Sequence, residues 1–174
     1  MDIAFFDRLT DAEAQAYLDR YLEVEATASV STLADAAAAG ISVDHSLDSI
    51  GPFFLWLVEE AGTVPPPAHR KRPRWPRRDR NVRRSPSDPD DGATSLVLRA
   101  SYYLGTSFVR TFPSLRWATG REGIAEHNMP VVAGFASGDE LAPILVAEDA
   151  FRRAVRTGER DHMQAMVDTW KRGV

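Results

Sequence analysis

Side chains able to do acid–base or nucleophilic chemistry are sparse in this chain and rarely cluster. The densest grouping is Asp44-His45-Ser46-Leu47-Asp48-Ser49, an imidazole flanked by carboxylates and hydroxyls. An imidazole oriented by a carboxylate takes a proton from a hydroxyl in the Ser-His-Asp hydrolases. Such chemistry needs an exposed nucleophile, and no GxSxG turn is present to offer one. Serine and aspartate just ahead of an apolar run have a second use, accepting backbone N–H bonds at a helix start, and 44–49 reads as such a cap. An enzyme site assembled from distant residues, around His45 or His127, remains as an alternative.

Metal and cofactor chemistry find less support. The four histidines, at 45, 69, 127 and 162, show no HxH, HxxxH or HExxH spacing, and the chain has no cysteine. Disulfides, thiolate zinc sites, iron–sulfur clusters and cysteine nucleophiles are excluded together, and no metal is expected. Neither a GxxxxGK[ST] loop nor a GxGxxG turn occurs, so no nucleotide cofactor is expected. The acid pairs Glu59-Glu60 and Glu148-Asp149 are sequence neighbours, which diverge on a helix and read as solvated surface.

Charge is the strongest anomaly. Residues 69–84 carry Arg70, Lys71, Arg72, Arg74, Arg77, Arg78, Arg80, Arg83 and Arg84 against Asp79 alone, a net of +8, with Trp75 as one stacking surface. The formal total is −4, so the rest of the chain stands at −12. Such an arm can neutralise phosphates, dock on the protein's own acidic half, meet an acidic partner, or serve as a solvated linker. Against nucleic acid stand the acidic remainder and the absence of a reader motif. The first 68 residues hold twelve acids against Arg8 and Arg20, with Asp11, Glu13, Asp19, Glu23 and Glu25 as a candidate face for a basic partner. Arg116 and Arg121, beside Trp117, are further candidate contacts, since Arg and Trp dominate interface hot spots. Trp117 shares a strand face with Leu115 and is expected in the core, with Arg116 outward.

The elements that position these groups follow from periodicity. At 174 residues, 44% hydrophobic and 26% charged, the chain fits a single domain, 1–174, interrupted by a Pro/Arg-rich loop at 63–92. Thr10 and Glu13 have capping-box spacing ahead of a helix over 11–28, and a second helix is expected from Thr32 to Ala39, stopped by Gly40. Pro52 suits the first position of a helix running to Ala61, whose apolar circumference predicts central burial. Thr94–Phe112 predicts a helix in which Gly105 permits close approach of another element. Leu115–Thr119 and Pro130–Ala136 have strand composition and predict an antiparallel pair across a ten-residue connector. Ile144, Ala147, Phe151 and Val155 mark one further helical stripe, and Met163, Met166, Val167 and Trp170 the last. The fold class is α+β, mainly helical, with about six helices and a small antiparallel sheet of two or three strands.

The segments ASYYLGTSFVRTFPSLRWATG, MPVVAGF and ELAPILVA resemble a pattern found in small bacterial immunity-type proteins, the partners of polymorphic toxins. The likeness covers residues 99–147 and implies a cytoplasmic protein-binding function, with no catalytic residues to carry over. Only two of the 21 basic residues are lysine, a bias of high-GC bacterial genomes. The N-terminus lacks a basic start and a long apolar core, and no run approaches the ~20 residues a membrane helix needs, so a cytoplasmic location without membrane association is expected. The expected function is thus non-enzymatic binding of another protein. A nucleic-acid-associated or regulatory role through 69–84 is the alternative.

Overall fold

The computed structural model describes residues 3–63 and 92–174. The expected Pro/Arg-rich loop, with its basic side chains from Arg70 to Arg84 and Trp75, lies outside them. The two end residues of that stretch, Thr63 and Gly92, are helical.

A short 3-10 turn, Ile3–Arg8, leads into α1, Asp11–Ala38. The capping box forms as its spacing predicts: the Glu13 N–H donates to Thr10 Oγ1 at 3.3 Å, and the Thr10 N–H donates back to Glu13 Oε2 at 2.9 Å. The two helices expected over 11–39 are one, 28 residues long. No glycine or proline interrupts it, and its buried stripe continues through Ala14, Leu18, Tyr21, Glu25, Ser29, Thr32 and Ala36. The stripe turns polar beyond Tyr21, so hydrophobic periodicity fades where burial persists. Gly40, at φ +82, then turns the chain so that the Ile41 N–H reaches the Ala36 carbonyl at 3.0 Å.

The second helix, α2, spans Leu47–Thr63 and starts before the expected position, which leaves Pro52 inside it. The earlier start follows from the cap described below, which nucleates the turn ahead of the proline. Phe53, Phe54 and Leu57 of α2 are buried against the central helix α3, Gly92–Thr111. That helix packs on α1, on α2, on the two strands that follow and on the helix after them. Its Ala100, Tyr103, Leu104 and Phe108 are each 3% exposed or less. Two short strands follow, β1 (Arg116–Thr119) and β2 (Pro130–Ala133), antiparallel with Arg116 opposite Ala133 and Thr119 opposite Pro130. The second strand is shorter than expected because Gly134, at φ +107, bends the chain away after Ala133. Asn128 ends the connector at φ +62, and its amide donates to the Leu9 and Phe6 carbonyls, tying the sheet to the N-terminal turn.

The last two helices are α4, Pro143–Thr157, and α5, His162–Lys171. Ile144, Ala147 and Phe151 are buried as their spacing predicts, whereas Val155, one turn farther, is 72% exposed. Met163 and Val167 of α5 are buried in the main core, and Trp170 packs on Phe135 with ring centroids 5.0 Å apart. The architecture is mainly helical α+β with five α-helices and one two-stranded sheet among the described residues. None of these helices is long and apolar enough to cross a membrane.

Candidate functional site

The 44–49 segment forms the start of α2. Asp44 Oδ1 accepts the Ser46 N–H at 2.8 Å, Ser46 Oγ accepts the Ser49 N–H at 3.3 Å, and Ser49 Oγ donates to the Ser46 carbonyl at 2.7 Å. The hydrogen bonds from Ser46 hold the Asp44 carboxyl below its ordinary range. His45 sits at φ +60, which turns its ring away from Asp44's hydrogen bonds and onto Tyr103, with centroids 4.5 Å apart. Burial lowers the imidazole's basicity, and the charge of Arg110 adds to this.

Tyr103 organises the whole group. Its hydroxyl accepts the His45 N–H at 3.1 Å and pairs with Ser49 Oγ at 2.7 Å. The imidazole's hydroxyl partner is Ser107 Oγ, 3.4 Å from Nδ1, on a residue with no exposed surface. A substrate cannot reach Ser107 or Ser49, so the arrangement does structural work, locking a left-handed turn and the α2 cap onto α3. Replacing Tyr103 with phenylalanine strands the His45 N–H and removes one of the two partners of the buried Ser49 hydroxyl, which keeps its bond to the Ser46 carbonyl. The expected loss is about 1–3 kcal/mol of unfolding free energy, checked by urea denaturation. His127 is half-buried in the β1–β2 connector and joins none of these groups. Among the described residues no three His, Cys, Asp or Glu side chains gather as a metal site would need.

The expected acidic face is divided by the structure. Asp11, Asp19 and Glu23 are exposed and lie with Gln15 along one row of α1 at successive four-residue steps, Gln15 donating to Asp19 at 2.8 Å. None of these three carboxylates makes an ion pair among the described residues. Glu13 is exposed too, but its carboxylate is committed to the capping box. Glu25 is 6% exposed and points inward within the buried stripe of α1. Burial raises its pKa to about 6, against the opposing pull of Arg99 on α3, and its Oε2 has no hydrogen-bond partner. Glu25 in turn helps raise Tyr17 to about 12, where burial is again the larger cause.

Arg116 and Arg121 are both exposed. Arg116 faces outward on β1 as expected, and Trp117 turns in, its ring 5.8 Å from that of Tyr21. The backbone N–H of Arg121 donates to Glu140 Oε2 at 3.1 Å. These two arginines lie on the sheet side and the acidic row on α1.

Sequence reasoning missed one feature, a cleft of about 320 Å³ between the C-terminal half of α1, the C-terminal half of α2 and the first turns of α3. Thr32 and Asp35 line it from α1, Trp56, Leu57 and Glu60 from α2, and Ser95, Leu96 and Arg99 from α3. No local motif announces it, because its residues come from three segments; the only available signal was the polar turn of the α1 stripe at Glu25, Ser29 and Thr32. Comparison with protein-family models, with characterised proteins and with solved structures finds no match for this chain.

Proposed function

We propose that this chain is a non-enzymatic protein-binding protein, immunity-like in character, that meets a basic partner such as a nuclease toxin through the outer face of α1. The observation that carries this reading is the row Asp11, Gln15, Asp19, Glu23, exposed along about three helical turns with none of its carboxylates in an ion pair among the described residues. Unpaired carboxylates on a rigid helix keep their full field for an incoming cation, and steering of this kind raises association rate more than final affinity. The resemblance of residues 99–147 to immunity-type proteins supports the same class.

The test is a retention assay on the immobilised full chain, run with lysate of the source cells at rising salt. The triple variant Asp11→Asn, Asp19→Asn, Glu23→Gln leaves the capping box intact and removes the row's charge. A partner held by the native chain at low salt is expected to associate at least tenfold more slowly with the variant and to lose most of its salt dependence. Equal association rates for both forms overturn the proposal. Retention abolished by nuclease treatment points instead to the nucleic-acid reading through residues 69–84.

A further inference from the structure

The two halves of α1 are held down by different chemistry. In the first half Leu18 and Tyr21 pack with Leu98 and Ile144, and the Tyr21 hydroxyl pairs with Ser101 Oγ of α3 at 2.8 Å. Beyond Tyr21 the buried stripe reads Glu25, Ser29 and Thr32, each 6% exposed or less, before apolar contact resumes at Leu33 and Ala36. Two of these three polar side chains are orphaned. Glu25 Oε2 and Ser29 Oγ are buried with no hydrogen-bond partner among the described residues. Buried polar groups are nearly always paired, and an unpaired one costs its desolvation, so this seam binds α1 less tightly than the apolar contacts before it.

Only Glu25 in that seam changes its charge with pH. A neutral carboxyl tolerates such a place, whereas a buried carboxylate without partners gains the most from water when the helix lifts. The neighbouring groups do not stand in for that water. Arg99 of α3 is the one cation among the described residues whose charge acts on Glu25, and the two form no ion pair. Tyr17 and Tyr21 on α1 are buried phenols raised further by the same carboxylate, and Tyr102 of α3 packs edge-on against Tyr21. The strands packed on α1 bring only Arg116, which is exposed, and the nearest groups of α2 meet α1 at the cleft, where Glu60 and Asp35 add negative charge.

We propose that the second half of α1, from Glu25 onward, is a pH-dependent latch on α3, closed while the Glu25 carboxyl is protonated and loosened when it ionises. The row Asp11, Asp19, Glu23 belongs to the part of α1 before the seam, so the latch stands or falls separately from the protein-binding function. An opening that returns Glu25 to water restores its ordinary acidity, and the opening equilibrium therefore grows roughly tenfold between pH 4.5 and 7.5.

The experiment is amide hydrogen exchange of the full chain, read by NMR at pH 4.5, 6 and 7.5 in zero and low urea and corrected for intrinsic rates. The amides of Glu25, Ser29 and Thr32 are compared with those of Leu104 and Phe108 in the core of α3. At pH 7.5 the α1 amides are expected to be at least tenfold less protected than the core pair and to respond less to urea, as an opening smaller than global unfolding requires. Their protection is expected to rise about tenfold on going to pH 4.5, and Glu25→Gln to abolish that rise, the core amides showing that the variant is folded. Equal protection and urea response in both sets of amides, protection of the α1 set that does not change with pH, or a rise that survives in Glu25→Gln overturns the proposal.

Discussion

Replacing Gly105 with alanine is expected to destabilise the protein by about 2 kcal/mol, although alanine is the better helix former by ~1 kcal/mol. Gly105 lies mid-helix in α3, and a Cβ there would overlap Cζ2 and Cη2 of the Trp117 ring and crowd Pro143 Cγ at 3.1 Å. The ring has little freedom to retreat. Tyr21 packs against it edge-on, and Trp117 touches both hydrophobic clusters, so moving it disturbs the junction of α1, α3 and the sheet. Denaturant unfolding gives the check, with a double-mutant cycle to name the cause. Gly105→Ala combined with Trp117→Phe, which shortens the ring at the point of overlap, should cost less than the sum of the two single changes by 1 kcal/mol or more. Additive effects would show that the glycine is not there to admit the tryptophan.

Glu25→Gln is expected to act in the opposite direction and only above a threshold pH. In the folded chain the Glu25 carboxyl titrates at about 6, against an ordinary value of 4.5, so the native state binds the proton more tightly than the unfolded chain does. Stability from this group is therefore fully present below pH 4.5, falls as pH rises toward 6, and is lost above that. A shift of this size corresponds to roughly 2 kcal/mol. The glutamine variant carries no titrating group, so its stability minus that of the native chain should be near its minimum at pH 4.5 and grow by about 1–2 kcal/mol by pH 7. Comparing the two chains at each pH cancels the contribution of His45. Its lowered basicity works the other way, costing stability on acidification below its ordinary value. A flat difference between pH 4.5 and 7 would mean that Glu25 is solvated in the native state.

Both predictions turn on what was and was not legible in the residues. The Gly105 notch could be inferred from a glycine inside a strongly periodic helix, since a helix tolerates that loss of propensity only for a reason. The identity of the visitor needed the fold, and it is the tryptophan that the strand pattern had already turned inward. Glu25 reads the other way. Its charge placed it with Asp11, Asp19 and Glu23, but it falls one turn after Tyr21 on the stripe of Ala14 and Leu18, and the helix carries it inward with them. Hydropathy registers what a side chain is, whereas burial depends on what lies opposite, and α3 lies opposite.

The same division holds across the molecule. Local chemistry alone specified the capping box at Thr10 and Glu13, the cap at 44–49, the stop at Gly40, the antiparallel strand pair and the mainly helical class. Each of these depends on hydrogen bonds or periodicities closed locally, the longest reach being that of the strand pair from Arg116 to Ala133. The stacking of His45 on Tyr103, the sealing of Ser49 and Ser107 from any substrate, the inward turn of Glu25 and the cleft that sets Asp35 against Arg99 all join segments some fifty or more residues apart. Contacts of that range are set by how whole helices pack, and only the packed helices could show that the most reactive-looking segment of this chain is a cap and that its unpaired charges lie elsewhere.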